Sequence, residues 1–373
     1  MVNFDNSAGS FPKPARVRLA VNDAIRRFGG NPGRGGHKLS MASGEQVYRV
    51  RKKAAQLFAA QPENIAFVPN CTFGLNMAIK GLMKYGGHII ISSFEHNACA
   101  RPVYALTRQG IKCSVAQVSS DTEKTVKNFE RLIRSDTRCI CCIAASNVTG
   151  RILPFRELGR LCKKQGIPLI VDAAQASGVL DITVGEGISF ICTSGQKGLY
   201  GPTGTGLLIS SGEYSLATII EGGTGATSGE LEQTPYMPEK LESGSLNTAG
   251  IIGLGAGIDF VRATGIEKIR SHETMLCRQF EKGLGELGAR IYDEDCPRVP
   301  ITAFGFKGKT SEEVAKYLSD CGFALRGGLH CAALAHESLG TTSTGLVRFS
   351  PSAFNDSSQV NALLGALRGL TKA

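Results

Sequence analysis

The chain has 373 residues, 42% of them hydrophobic and 20% charged, with a mean hydropathy of -0.02. That balance builds a large core and excludes intrinsic disorder and fibrous repeats. The net charge of +10 is scattered, with no basic run longer than Arg51-Lys52-Lys53, so direct nucleic-acid and membrane-surface binding are not expected and small anionic ligands are.

Short apolar runs alternate with amphipathic stretches. Strands are predicted at 65–68, 88–92, 113–118, 139–145, 168–172, 190–193 and 206–209, and helices at 45–60, 74–83, 100–109, 121–134 and 155–165. This order predicts an α/β fold: a mostly parallel sheet flanked by helices. Beyond about residue 265 the rhythm changes, with a long helix at 266–287, apolar segments at 301–306, 323–325 and 346–349, and helices at 311–321 and 357–370. The expected division is a large α/β domain over 14–264 and a smaller α+β domain over 265–373, joined by residues 1–13. No apolar stretch approaches the ~20 residues of a membrane span, and Met1-Val2-Asn3-Phe4-Asp5 is not a basic-then-apolar leader. A cytoplasmic protein is expected, its 12 cysteines reduced and mostly core.

Glycine supplies 46 residues, concentrated in turn-like segments such as GGNPGRGG and GPTGTG, where backbone approaches a ligand or another segment closely. Gly253-Leu254-Gly255-Ala256-Gly257 imitates a dinucleotide fingerprint but lies in a helix-like run with no strand before it, so it reads as helix packing. Cys139, Cys141 and Cys142 fit a buried strand, and His330, Cys331 and His336 lack a fourth ligand, so no metal site is expected.

The segment richest in chemistry is Val171-Asp172-Ala173-Ala174-Gln175, followed by Thr193-Ser194-Gly195-Gln196-Lys197-Gly198-Leu199-Tyr200-Gly201-Pro202. An aspartate ending one parallel strand and a lysine just beyond its neighbour point into the crevice where open α/β sheets bind ligands. Such a pair suits pyridoxal 5'-phosphate (PLP), the lysine bonding the cofactor and the carboxylate keeping the ring nitrogen protonated. Either residue alone reads as well as a surface lysine or a helix-capping aspartate.

Together the segments resemble the PLP site of class V aminotransferase-type enzymes, and within them the cysteine desulfurases. Further matching segments are Phe4-Asp5-Asn6-Ser7-Ala8-Gly9, Asn31-Pro32-Gly33-Arg34-Gly35-Gly36-His37, Cys71-Thr72-Phe73-Gly74, Glu95-His96-Asn97, Ser146-Asn147-Val148-Thr149-Gly150, Glu242-Ser243-Gly244-Ser245 and Arg326-Gly327-Gly328-Leu329-His330-Cys331-Ala332. The resemblance implies PLP-dependent fold type I, with a seven-stranded sheet in the large domain. It implies that Lys197 carries PLP and moves the Cα proton, that Asp172 pairs with the ring nitrogen and that Gln175 donates to the phenolic oxygen. His96 is implied to stack on the ring, with Asn147 beside the phenolic oxygen and the substrate. The phosphate is implied to rest on the Thr72 hydroxyl, the amides of Thr72 and Phe73 and the Ser194 hydroxyl, at a helix N-terminus. Ser245 is implied to reach the partner's site in a homodimer. Gln196 departs from the family's usual histidine; it can donate to phosphate but carries no charge. His37 is placed with the substrate-binding residues.

Cys331 distinguishes the reactions. In its Arg-x-Gly-x-His-Cys-Ala context it resembles the short-loop desulfurase nucleophile, with His330 and Arg326 near enough in sequence to favour the thiolate. Arg348, in Leu346-Val347-Arg348-Phe349-Ser350, is implied to bind the substrate carboxylate through two prongs, with Arg326 a second cation or a support for the cysteine loop. The implied reaction converts L-cysteine to L-alanine, leaves sulfur on Cys331 as a persulfide, and passes it to an unidentified acceptor protein such as an iron–sulfur scaffold. The alternatives are selenocysteine lyase or cysteine-sulfinate desulfinase, then an aminotransferase, then a PLP-binding protein that no longer catalyses.

Overall fold

The structure, a computed structural model, describes residues 1–33 and 35–372; Arg34 of the glycine-rich segment and Ala373 lie outside the described residues. The chain begins with β1 (Val2–Asn3), α1 (Ala15–Arg27), α2 (Lys38–Phe58), β2 (Ile65–Val68), α3 (Cys71–Met83), β3 (His88–Ser92) and α4 (Asn97–Thr107). It continues through β4 (Lys112–Ala116), α5 (Thr122–Glu130), β5 (Thr137–Ile143), α6 (Phe155–Gln165), β6 (Leu169–Asp172), β7 (Ile188–Ser194), β8 (Gly206–Ser210) and α7 (Thr248–Thr264). The last part holds α8 (Ile266–Glu286), β9 (Arg290–Tyr292), β10 (Thr302–Gly305), α9 (Ser311–Asp320), β11 (Phe323–Ala324), α10 (Ala333–Leu339), β12 (Val347–Phe349) and α11 (Ser357–Lys372).

All seven apolar runs before residue 210 enter one sheet, in the order β2-β8-β7-β6-β5-β3-β4. Pairing is parallel from β7 across to β4 and antiparallel where β8 meets β7 and β2. Buried on both faces, β3, β6 and β7 read as continuous apolar runs, and their carboxyl ends open on one edge of the sheet. A second, antiparallel sheet, β12-β10-β9, packs with α8, α9 and α11 around Phe4, Phe280, Phe304 and Phe349. Strand β1 pairs with β11, so the first residues belong to this part of the molecule.

The glycine run at 253–257 lies inside α7, as helix packing requires. A Cβ at Gly253 would come within 2.5 Å of Val21, one at Gly255 within 2.5 Å of Val50, and one at Gly257 within 2.3 Å of the Leu199 carbonyl oxygen. Bare backbone there lets α1, α2 and the segment after Lys197 close onto α7. Helix α1 is absent from the sequence prediction although Val17, Ala20, Val21 and Ala24 lie at helical spacing on its inner face, because Leu19 and Ile25, which face outward, blur that stripe. Helix α3 starts three residues earlier than expected, at Cys71, because Asn70 caps it. Among the described residues no single helix is long and apolar enough to cross a membrane.

Candidate active site

The carboxyl edge of the large sheet gathers the site. Asp172 ends β6, Ser194 ends β7 with Lys197 three residues on, His96 follows β3, and Asn147 follows β5. The 177–178 turn lies against Gly198, where a Cβ would come within 2.2 Å of the Ser177 carbonyl oxygen, so the backbone carrying Lys197 is wedged in place. From the other side Ser10 donates its amide to the Gln196 carbonyl oxygen at 3.0 Å and its hydroxyl to the Lys197 carbonyl oxygen at 3.1 Å. Lys13 donates to the Gln196 carbonyl oxygen at 2.7 Å, and burial pushes its ammonium down to about 8.

Asp172 is buried, and its Oδ1 accepts from the Ala174 amide at 2.9 Å and from the Cys71 thiol at 3.3 Å. Burial lowers the Lys197 pKa from its ordinary value, and the nearby Asp172 charge opposes that shift. A lysine so placed gives up its proton more readily than one in water.

His96 accepts at Nδ1 from the Ala98 amide at 2.9 Å, which leaves its proton on Nε2. Burial pushes the ring down to about 4, against the pull of Asp172, and the charges of Lys197, Arg326 and Arg348 also reach it. The preceding residue, Glu95, has no role in the sequence reading. Its Oε1 accepts from Ser92 Oγ at 2.5 Å and from the Ile143 amide at 2.8 Å, tying the turn that carries His96 to β5. Burial raises Glu95 to about 8, so it is a neutral acid at ordinary pH.

On the opposite wall Arg348 is almost fully buried in β12. Its Nη1 donates to the Asn147 carbonyl oxygen at 2.8 Å and its Nη2 to Asp5 Oδ1 at 2.5 Å, while Nε is buried without a partner among the described residues. Arg326 pairs with Arg348 through main-chain bridging, and its Nη2 lies 3.6 Å from Cys331 Sγ.

Cys331 is exposed, the feature expected of a nucleophile rather than a core thiol. Its loop is strained: His330 and Cys331 have φ of 49° and 57°, in the left-handed region that residues with side chains avoid. Two bonds hold it there, Asn97 N–H to the Cys331 carbonyl oxygen at 2.7 Å and Asn147 Nδ2 to the His330 carbonyl oxygen at 2.7 Å.

Two expectations need correction, those for His330 and for the Phe73 amide. His330 gives Cys331 no positive charge: its Nε2 faces the Leu346 carbonyl oxygen at 2.9 Å, and burial drives its pKa far below the ordinary histidine value. The Phe73 amide is not free for phosphate, because Asn70 Oδ1 accepts it at 2.9 Å as the α3 cap; the Thr72 side chain is exposed at that helix start. Ser194 Oγ accepts from the Cys71 amide at 3.4 Å and keeps its own hydrogen to donate. Gln175 Nε2 donates to the Ser7 carbonyl oxygen at 3.1 Å, and the Gln196 side-chain oxygen is buried without a partner among the described residues. Ser245 and His37 bond to other segments of the chain. Ser245 is exposed and accepts from Asn31 at 3.3 Å, and His37 caps α2 through the Ser40 amide at 3.3 Å.

The family model of Aminotransferase class-V matches residues 2–363. The chain belongs to that family. Class V members depend on PLP, and this chain is therefore a PLP-dependent enzyme. Its relatives include a probable cysteine desulfurase of Pyrococcus abyssi, 31% identical over 100% of this chain and 95% of the other. A cysteine desulfurase of Salmonella choleraesuis is 32% identical over 88% and 83%. Among solved structures, the apo cysteine desulfurase of Thermococcus onnurineus NA1 aligns with a TM-score of 0.90 at 29% identity, covering 100% of this chain and 94% of that one. A cysteine desulfurase of Escherichia coli gives 0.89 at 28% identity over 99% and 94%. The class V cofactor fits the residues present. Among the described residues Asn147 Oδ1, the Gln196 side-chain oxygen and Arg348 Nε are buried and unpartnered, beside an acid, a lysine and a helix N-terminus, the mixture of partners that a charged, phosphorylated ring demands.

Proposed function

We propose that this protein is a cysteine desulfurase that converts L-cysteine to L-alanine and takes the sulfur on Cys331. The observation that carries the reading is the exposed thiol of Cys331, with the Arg326 guanidinium 3.6 Å from its sulfur and its loop tied to Asn147 and Asn97 beside His96. An aminotransferase needs no thiol there.

Lys197, Asp172, His96, Gln175, Asn147, Ser194, Thr72 and Gln196 would hold the cofactor. Bound at Lys197, PLP supplies an electron sink for the substrate Cα. Arg348 binds the substrate carboxylate, which satisfies its unpartnered Nε. Lys197, its pKa lowered by burial, takes the Cα proton at Nζ, and the neutral His96 has an Nε2 proton to exchange. Arg326, its Nη2 3.6 Å from Cys331 Sγ, would hold that sulfur in place for its attack. Cys331 Sγ bonds the substrate sulfur as the Cβ–S bond breaks, so the sum is L-cysteine plus the Cys331 thiol giving L-alanine plus the Cys331 persulfide. An acceptor protein, such as an iron–sulfur scaffold, then takes the outer sulfur.

The reading includes the division into domains at 14–264 and 265–373 with residues 1–13, a homodimer, and a cytoplasmic setting in which the cysteines stay free. Ser245 and His37 would serve the site of a second copy. Purified protein given L-cysteine and a thiol reductant is expected to release alanine and sulfide in equal amounts, and Cys331→Ser to keep the bound-cofactor absorbance while losing sulfide. Cys331→Ser with full sulfide release sinks the reading in favour of a selenocysteine or sulfinate substrate; keto-acid-dependent amino transfer without sulfide sinks it in favour of an aminotransferase.

A further inference from the structure

Both protein donors to Asp172 fall on one oxygen. The Ala174 amide, 2.9 Å away, and the Cys71 thiol, 3.3 Å away, both donate to Oδ1, and no bond to Oδ2 occurs among the described residues. Cys71 is the first residue of α3 and 4% exposed. Burial, with the Asp172 charge beside it, pushes its pKa well up, so the sulfur carries its hydrogen and faces the carboxylate as a donor. The same residue donates its amide to Ser194 Oγ at 3.4 Å. Cys71 thus touches a cofactor residue on each side, and the Asn70 cap, closed on the Phe73 amide at 2.9 Å, sets the turn that aims it.

We propose that Cys71 is a positioning residue that fixes the carboxylate plane of Asp172, so that Oδ2 is the oxygen presented to the ring nitrogen. The proposal rests on the reading that this site holds PLP. An aspartate turns easily about its terminal torsion, where the energy wells are broad, and one donor does not stop the rotation. Two donors on one oxygen do. A thiol suits the place because it is a weak donor that is also at home among apolar neighbours. Behind it lie the buried thiols of Cys192 and Cys141 in an apolar cluster, and a Cβ on Gly74 would meet Cys192 Sγ at 3.4 Å.

The test titrates the apo forms of wild type, Cys71→Ala and Cys71→Ser with PLP. It follows the absorbance of the bound cofactor and its pH profile, with thermal unfolding of each apo form as a control for packing. Cys71→Ala is expected to bind PLP about five- to tenfold more weakly, the loss of one hydrogen bond to a charged group, and to shift the pH midpoint of the bound absorbance. Cys71→Ser is expected to return within about twofold of wild type, because a hydroxyl restores the donor. Should Cys71→Ala fail to fold, Cys71→Thr and Cys71→Val fill the space with and without a donor, and Thr is expected to bind the tighter. Equal affinity and an unchanged profile in Cys71→Ala, or equal affinity in the Thr and Val pair, overturns the proposal. A Ser variant as weak as Ala overturns it too, since sulfur packing then sets the affinity. Wild type that binds no PLP overturns the cofactor reading instead, and is told apart because no form then develops the absorbance.

Discussion

Asp5, just beyond β1, holds Arg348 of β12 by its Nη2 at 2.5 Å, joining the start of the chain to a guanidinium 343 positions away. With Nη1 on the Asn147 carbonyl oxygen, the bond fixes the plane of the fork and leaves Nε without a partner among the described residues. Arg348→Lys is expected to raise KM for L-cysteine by about tenfold or more with a smaller effect on kcat, since one ammonium cannot span three acceptors in a plane. Asp5→Asn removes the counter-charge of a buried cation and is expected to cost about 2 kcal/mol, below the ~3–5 of a fully buried pair because Asp5 is partly exposed. Steady-state kinetics and urea unfolding read the two effects; an unchanged KM in Arg348→Lys sends the carboxylate elsewhere.

Asn147 grips the Cys331 loop. Its Nδ2 reaches the His330 carbonyl oxygen at 2.7 Å, and the residues it restrains sit at positive φ. Asn147→Ala is expected to release the strained turn and lower the rate of sulfide formation about tenfold, the worth of a hydrogen bond of roughly 1–1.5 kcal/mol. Single-turnover alanine and sulfide assays measure it, with cofactor absorbance confirming that PLP is still bound. A rate within twofold of wild type would mean that the Asn97 amide alone suffices.

The large sheet was legible because its strands are buried on both faces and therefore stand out as unbroken apolar runs, and the placement of Asp172 and Lys197 at strand ends followed from them. Helix α1 and strand β9 were not read, the first because the exposed Leu19 and Ile25 blur its inner Val17-Val21-Ala24 face, the second because three residues are too few to show a period. The site residues recognisable by type, Lys197, Asp172, His96, Cys331 and Arg348, lie near one another. The residues that aim them were hidden: Asp5, Cys71 and Lys13 act across long sequence separations, as does Glu95 in its bond to Ile143, and nothing local marks those partners. His330 misled because its position beside Cys331 in sequence says nothing of which way its ring turns; the left-handed backbone at both residues sends it inward, to the Leu346 carbonyl oxygen.

Glu95 and His96 act oppositely on stability. Folded Glu95 keeps its proton to about 8 while an unfolded glutamate loses it near 4.5, so the native state binds the extra proton and stability falls as pH rises across that window. Folded His96 titrates at about 4 against 6.5 unfolded, so its share of stability is present above 6.5 and is lost as pH falls toward 4. Glu95→Gln keeps the acceptor for Ser92 and Ile143 and removes the titration. It is expected to flatten the decline in unfolding free energy between about pH 5.5 and about pH 7.5 by up to roughly 1 kcal/mol per pH unit. Urea unfolding at the two pH values checks this, and parallel slopes in wild type and variant would place the ionisation elsewhere.

Packing against α7 couples stability to the site. A Cβ at Gly257 would lie 2.3 Å from the Leu199 carbonyl oxygen and 2.9 Å from the Gly201 nitrogen, all backbone, so nothing flexible can give way. Gly257→Ala must therefore push the 199–201 segment, two residues past Lys197, and is expected to cost about 1–3 kcal/mol and weaken PLP retention together. Gly285, inside α8, has nothing within 4 Å of its Cβ position, so Gly285→Ala is expected to stabilise by about 0.4–1 kcal/mol with PLP affinity unchanged. Thermal unfolding and cofactor titration of the two variants side by side test the coupling. Gly257→Ala with lowered stability but wild-type PLP affinity would show that α7 supports the fold without setting the position of the lysine.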